Sequence, residues 1–254
     1  MLPSGFRVID VERRCIVEPK ETIEYSALSY VWGEAAKIEQ QKPGKLTKSL
    51  LGQFERRDSL SPSELPRTIE DAIQACLALR IQYLWVDRFC IIQDDEHNKA
   101  RHIQAMGEIF ASANLAFIAT GANDMHSGIS GISNPRKAAQ WTLSSFSSDL
   151  VQTLPALEDA IVNSRWSPRA WTYQEAVLSR RKLWLTSAEV YFQCGEGEFT
   201  EDFFVDLNGF PSEHTQLLWS EGIPTSNLYF LLLAQYSERS LTYNSDVYNA
   251  FTGI

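Results

Sequence analysis

Residues 83–96 read Tyr83-Leu84-Trp85-Val86-Asp87-Arg88-Phe89-Cys90-Ile91-Ile92-Gln93-Asp94-Asp95-Glu96. Tyr83–Val86 is short and almost wholly apolar, the pattern of a strand buried on both faces, and Asp87 closes it. Upstream, Leu65-Pro66 opens a segment in which Ile69, Ala72, Ile73, Cys76 and Leu77 recur at helical spacing, with proline suited to a helix start. Downstream, Asp94-Asp95-Glu96 place negative charge where a helix N-terminus favours it, and Ile103, Met106, Phe110 and Ala113 line the inward face of the helix they start. Leu115–Ala119 then reads as a further strand. This alternation predicts an α/β fold with a mostly parallel central sheet flanked by helices.

Working outward, Phe6–Val11 and Tyr25–Trp32 read as strands separated by a polar stretch, and 34–64 as a polar excursion holding at most a short helix or hairpin. Residues 121–150 read as a long loop or insertion. A helix is expected over Trp166–Leu178 with Pro168 in its first turn, then an antiparallel strand pair at Lys182–Thr186 and Glu189–Cys194. Residues 196–225 carry no clear period, and Asn227–Glu238 reads as an amphipathic helix. The expected organisation is one domain over 1–254, with a core at about 22–195 and a helical extension at about 196–254.

The chain has 254 residues, 44% hydrophobic and 22% charged, with net charge −9. An acidic surface repels phosphate backbones, so nucleic acid is not an expected partner. No run approaches the about 20 apolar residues of a bilayer span, so no membrane partner is expected either. The N-terminus lacks a secretory pattern. Cys15, Cys76, Cys90 and Cys194 are scattered without a CxxC pair, which argues for a cytoplasmic protein without disulfides and without a metal site.

Three segments carry a resemblance: Tyr25-Ser26-Ala27-Leu28-Ser29-Tyr30-Val31-Trp32-Gly33; Leu84–Asp95, continuing through Gln104, Met106, Ile109-Phe110 and Ala113; and Arg169-Ala170-Trp171-Thr172-Tyr173-Gln174-Glu175. Together, in this order and spacing, they resemble the HET family of heterokaryon incompatibility domains, and the stretches 239–242 and 250–254 look like its following segment. Arg88, Phe89 and Ile92 depart from it, standing where the family tends to carry a small residue, an aliphatic one and Asn. The resemblance implies an effector of programmed cell death in non-self recognition, with a TIR-like or flavodoxin-like core and family-specific insertions. Some TIR domains hydrolyse NAD at the nicotinamide–ribose bond with one glutamate, sometimes within W-x-x-x-E, and Trp171 and Glu175 fit that pattern. It further implies NAD as substrate with no resident cofactor, self-association on activation, and a protein trigger.

Glu175 is the expected catalytic residue. On a helix from Pro168 it points near the middle of the apolar stripe Trp171, Gln174 and Leu178, where a carboxylate must be paired or must line a cleft. A buried salt bridge with Arg169 or Arg165 is the competing reading. Asp87, at the carboxyl end of a parallel strand, lies where open α/β sheets place ligands; a hydrogen bond to the following loop or helix is the alternative. Ser29, Tyr30, Trp32 and Gly33 mark a turn suited to a pocket, its aromatics to stacking on a ring, against plain core packing. Gln93 suits a ligand amide or a helix start, and Arg169 a diphosphate or a brace. Cys90 reads as packing, and His97 and His102 as solvated. A non-catalytic death-signalling module acting through protein–protein contact is the rival to the enzyme reading.

Overall fold

The computed structural model describes residues 2–33, 44–136, 142–144, 149–201, 204–205, 225–241 and 246–254. Parts of the polar excursion and of the C-terminal extension therefore lie outside the described residues.

Strands β1 (Val8–Asp10) and β2 (Cys15–Val17) form a hairpin with Val8 opposite Val17. β3 (Ser26–Ser29) follows, then a short α1 (Leu51–Phe54), the amphipathic α2 (Arg67–Ala78) and β4 (Tyr83–Trp85). The deciding stretch continues into a single helical turn, α3 (Asp87–Cys90), then α4 (Glu96–Gln104), α5 (Met106–Ser112) and β5 (Leu115–Ile118). An antiparallel pair β6 (Thr142–Ser144) and β7 (Asp149–Val151) precedes α6 (Leu157–Val162) and α7 (Ala170–Leu178). β8 (Lys182–Leu185), β9 (Val190–Cys194), β10 (Gly197–Thr200) and β11 (Phe204–Val205) follow, and α8 (Thr225–Ser237) comes last.

Among the described residues the main sheet has nine strands in the order β11-β10-β9-β8-β5-β3-β4-β1-β2. Only its centre is parallel: β3 pairs with β4 and with β5, and β5 with β8. The remaining pairs are antiparallel, so the expectation of a mostly parallel sheet is corrected while the α/β class stands. The physical reason is connection length. A hairpin closes over a few residues, whereas a parallel neighbour needs a crossover of a dozen or more. Hairpins therefore extend the β8 edge through β9, β10 and β11 and add β2 to β1, while β1 itself joins β4 antiparallel from a distant part of the chain.

The four central strands run β4-β3-β5-β8, so the chain turns to one side of β3 for β4 and to the other side for β5. Such a reversal opens a crevice beyond the carboxyl ends of the strands. The right-handed crossover rule puts α5 and α7 together on one face. Their close approach fits: a Cβ on Gly107 of α5 would lie 2.7 Å from Leu178 of α7.

Several local readings need correction. β2 was hidden in a polar stretch because its turn residues Glu12-Arg13-Arg14 outweigh three apolar positions; Arg14 sits at φ 49° and its guanidinium holds the Leu60 carbonyl at 2.8 Å. The helix expected over 94–113 breaks at Ala105, with Asp95 capping its first half by accepting from the backbone of His97 and Asn98. The helix expected from Trp166 starts at Ala170, and α6 was not anticipated. His102 is buried, its Nδ1 2.8 Å from the Asn98 carbonyl, rather than solvated. Residues 124–134 are pinned to α2: Thr68 Oγ1 donates to the Asp124 carbonyl at 2.9 Å, and the buried Asp71 accepts from Ile129 N and Ser133 Oγ.

The principal core lies between sheet and helices, and a smaller cluster of Ala170, Tyr173, Val177, Leu232, Tyr236 and Ala250 seals the outer face of α7 against α8 and the chain's end. No helix among the described residues is long and apolar enough to cross a membrane.

Candidate functional site

Ser29 ends β3, the central strand of the parallel set, and its side chain is buried. Its hydroxyl accepts a hydrogen bond from Trp166 Nε1 at 2.7 Å and donates one to Glu175 Oε2. The order is forced. An indole nitrogen only donates, so the single hydroxyl proton of Ser29 must go to the carboxylate. Trp166 is itself fixed: its ring meets Trp184 edge-on with centroids 5.5 Å apart, and its carbonyl accepts from Thr172 Oγ1 at 2.9 Å.

Glu175 therefore stands over the carboxyl end of β3, packed on nearly all sides yet with part of its surface open. It forms no salt bridge among the described residues, so the competing salt-bridge reading does not hold in this geometry. Burial pushes its carboxyl up to about 7; the Ser29 hydroxyl and the positive charge of Arg169 pull the other way, and Asp87 adds to the rise.

β3 and β4 run parallel, Ser26 opposite Leu84 and Ala27 opposite Trp85, so the chain leaves both at the same edge of the sheet, through Ser29 on one side and Asp87 on the other. Neighbouring strand backbones lie about 4.8 Å apart. Asp87 opens α3, where its Oδ1 accepts from Arg88 N at 2.7 Å, and its Oδ2 accepts from Trp32 Nε1 at 2.8 Å. The hydrogen bond to the following helix is thus present as well as the position at the strand end. Burial raises the Asp87 carboxyl, opposed by those two donors and by Arg169. Tyr30 is buried beside it, and burial followed by the Asp87 charge raises its hydroxyl well above the ordinary range.

The other expected residues divide. Gly33 has φ +78°, and a Cβ there would lie 2.4 Å from Asp124 Cβ, so the turn after Trp32 closes against the 124–134 segment. Gln93 spends its amide on the Asp87 and Ile91 carbonyls at 3.0 and 3.2 Å, bracing the backbone behind Asp87. Arg169 stands at the N-cap position of α7, and its side chain donates to the Tyr30 carbonyl at 2.6 Å, tying the two segments together. Trp171 is partly buried and packs between the two clusters of the core. Cys90 is buried, with burial pushing its thiol up to about 12, as packing requires. Arg165 is exposed. The structure thus brings Ser29, Tyr30, Trp32, Asp87, Arg169 and Glu175 together.

Two participants escaped sequence reasoning. Trp166 was read only as a helix start, although a tryptophan deep in a core must find an acceptor for its N–H. Arg88, whose guanidinium lies 5.1 Å from the Trp32 ring centroid, was seen as a departure from a pattern and not as a neighbour of Trp32.

All of the candidate site residues fall within a span that a family model recognises: the model described as "Heterokaryon incompatibility protein (HET)" matches residues 25–175. The chain belongs to the HET family. No curated protein and no solved structure matches it. Membership ties the HET chain to heterokaryon incompatibility and the cell death associated with it. The matched span ends at Glu175, yet β8 and α8, which complete the sheet and cover α7, follow it.

Proposed function

We propose that this HET chain acts as a cell-death effector by hydrolysing NAD at the nicotinamide–ribose bond, in the manner of TIR-like glycohydrolases. The observation that carries the reading is Glu175, a carboxylate held at the carboxyl end of the switch strand by one serine hydroxyl, without a salt bridge among the described residues and with part of its surface open. In the reaction the C1′–N1 bond breaks, its electron pair leaves with neutral nicotinamide, and the ribosyl cation that forms is stabilised by the Glu175 carboxylate. Water then adds at C1′, and its proton passes to Glu175 or to solvent.

The raised affinity of Glu175 for protons suits this step. A carboxylate that is expensive to ionise in the empty site gains most when a positively charged nicotinamide ring arrives beside it. Asp87 and the Ser29–Gly33 turn shape the pocket, with Trp32 as a flanking ring, and Arg169 braces α7. NAD is consumed as a substrate, not recycled as a cofactor. Under the same reading the chain stays silent until a protein trigger brings copies together.

One observation favours a second reading, a non-catalytic module that signals through protein contact: Tyr229, Phe230 and Leu231 on α8 are exposed, as is Tyr248. Nicotinamide release by the purified chain at high concentration, beside Glu175→Gln checked for folding by circular dichroism, separates the two. Release by wild type that is lost in the folded variant is expected. Absence of release at every concentration would transfer the function to the exposed surface.

A further inference from the structure

The two oxygens of Glu175 stand in different circumstances. Oε2 accepts the Ser29 hydroxyl, whereas no hydrogen bond among the described residues reaches Oε1, which is not shut away from solvent either. The open part of the Glu175 surface therefore includes Oε1. Behind this asymmetry stands Trp166, only 1% exposed, whose indole N–H reaches Ser29 Oγ at 2.7 Å. A buried indole needs an acceptor, and any backbone carbonyl would serve. Here the acceptor is the one hydroxyl that also touches the carboxylate.

That choice of acceptor has a chemical consequence. A serine free of the indole can turn and accept a proton from Glu175. With the indole N–H on Oγ, the serine proton stays on Oε2, and the hydroxyl makes no other donation among the described residues. A proton carried by Glu175 then sits on Oε1. Donation by the indole also polarises the hydroxyl and strengthens its bond to a charged acceptor. The ring is kept from swinging to another acceptor: it meets Trp184 edge-on at 80°, and Trp184 Nε1 is itself tied to Gln193 Oε1 on β9 at 3.2 Å. We propose that Trp166 is a positioning residue of the hydrolytic site: acting through Ser29, it ties Oε2 down and makes Oε1 the oxygen that faces C1′ and receives the proton of the incoming water. This deepens the glycohydrolase reading and rests on it for the reaction that Oε1 serves. Arg169, at the N-cap position of α7, and Asp87, opening α3, are the charged groups felt at Glu175, and both remain in every variant below.

The test removes the N–H and little else. Benzothienylalanine, a tryptophan isostere with sulfur in place of the ring N–H, is placed at position 166 in wild type and in Glu175→Gln, with Trp166→Phe as a second route and folding checked by circular dichroism. Urea denaturation at pH 5 and pH 8.5 completes the cycle. At pH 8.5 the lost N–H should lower the folding constant roughly three- to tenfold more in the wild-type background than in Glu175→Gln, the increment of a charged over a neutral hydrogen bond. At pH 5, where Glu175 carries its proton, the two losses should match. A purely structural tryptophan costs the same in both backgrounds at both pH values. For nicotinamide release at pH 8.5, kcat should fall about ten- to a hundredfold with KM little changed, and the acid limb of kcat/KM should move to higher pH. Equal losses throughout the cycle, or release with kcat and the limb unchanged, would overturn the proposal. Coupling without release by wild type would retire the hydrolase and keep Trp166 as the residue that orients Glu175; release without coupling would do the reverse.

Discussion

Glu175→Gln is expected to make the protein more stable at pH 8 and to leave its stability unchanged near pH 4. The substitution is nearly isosteric, and the amide oxygen still accepts the Ser29 hydroxyl, so packing and the Trp166–Ser29 chain survive. What disappears is a carboxyl whose folded-state pKa is raised to about 7 from an ordinary value near 4.5. Between those values the folded chain binds more protons than the unfolded one, so stability falls as pH rises through the window. Below about 4.5 both states are protonated and nothing is lost; above 7 the full penalty applies. A displacement of that size corresponds to about 3 kcal/mol, an upper bound because Glu175 keeps part of its surface open. For a chain of this length that is on the order of 6–12 °C in Tm. Urea denaturation of both proteins at half-unit steps from pH 4 to 8.5 reads the effect. Asp87 and Glu198 are also raised by burial and titrate in both proteins, so the comparison of interest is variant minus wild type. A difference that stays flat with pH, or a variant less stable at pH 8 than wild type, would refute the burial argument for Glu175.

The same displacement fixes the pH dependence of nicotinamide release. kcat/KM should rise with an apparent pKa of about 7, as the free enzyme's Glu175 ionises, while the corresponding limb of kcat should lie lower because the bound nicotinamide cation favours the carboxylate; steady-state rates from pH 5 to 9 check both. Ser29→Ala removes the hydroxyl that draws Glu175 down and strands the buried Trp166 indole N–H. Its kcat/KM limb should therefore move to higher pH, and denaturation at pH 5, where Glu175 is protonated in either protein, should show a loss of about 1–3 kcal/mol. Gly33→Ala puts a Cβ 2.4 Å from Asp124 Cβ at φ +78°. It should cost at least about 1 kcal/mol and increase proteolysis within 124–134.

Much of the centre was legible because it follows local rules. The run Tyr83–Val86 flanked by two apolar helical stripes led to β4, α2 and the α4–α5 segment, and Pro168 flagged the approach to α7. The wings were legible only in part. Phe6–Val11 led to β1 and Glu189–Cys194 to β9, but β2 is three residues long, too short for a period to show, and β10 and β11 sit in a stretch whose polar residues mask the alternation. Within the site, Ser29, Asp87 and Glu175 were reachable because strand ends and a carboxylate on an apolar stripe are visible one residue at a time. Trp166 was not, since its role depends on a contact across 137 positions of chain. The inward stripe read on α7 was also incomplete: Tyr173 and Val177 are buried on the side away from Glu175, against a helix that the local pattern of α7 does not reveal.

That second burial explains how the fold tolerates Glu175. A carboxylate with a penalty of about 3 kcal/mol would be relieved if α7 turned by a fraction of one residue, about 100° per residue step, and offered it to water. Such a turn is opposed at the first turn of the helix, on its outer face and beside Glu175 itself. The 240 region grips the first turn: Ser240 N donates to the Pro168 carbonyl at 2.6 Å, and the Ser240 carbonyl accepts from Ala170 N at 3.0 Å. In the middle, Tyr173 Oη donates to Gln235 at 2.8 Å while the Arg239 guanidinium covers its ring at 4.6 Å. One residue before Glu175, the buried Gln174 donates to the carbonyls of Thr252 and Asn249. Rotation would leave these groups unpaired or expose the cluster of Tyr173, Val177, Leu232 and Tyr236, and each buried donor or acceptor so stranded costs about 1–3 kcal/mol. Two or three such losses outweigh the gain from solvating one carboxylate, so the residues beyond the family match are what keep Glu175 facing Ser29.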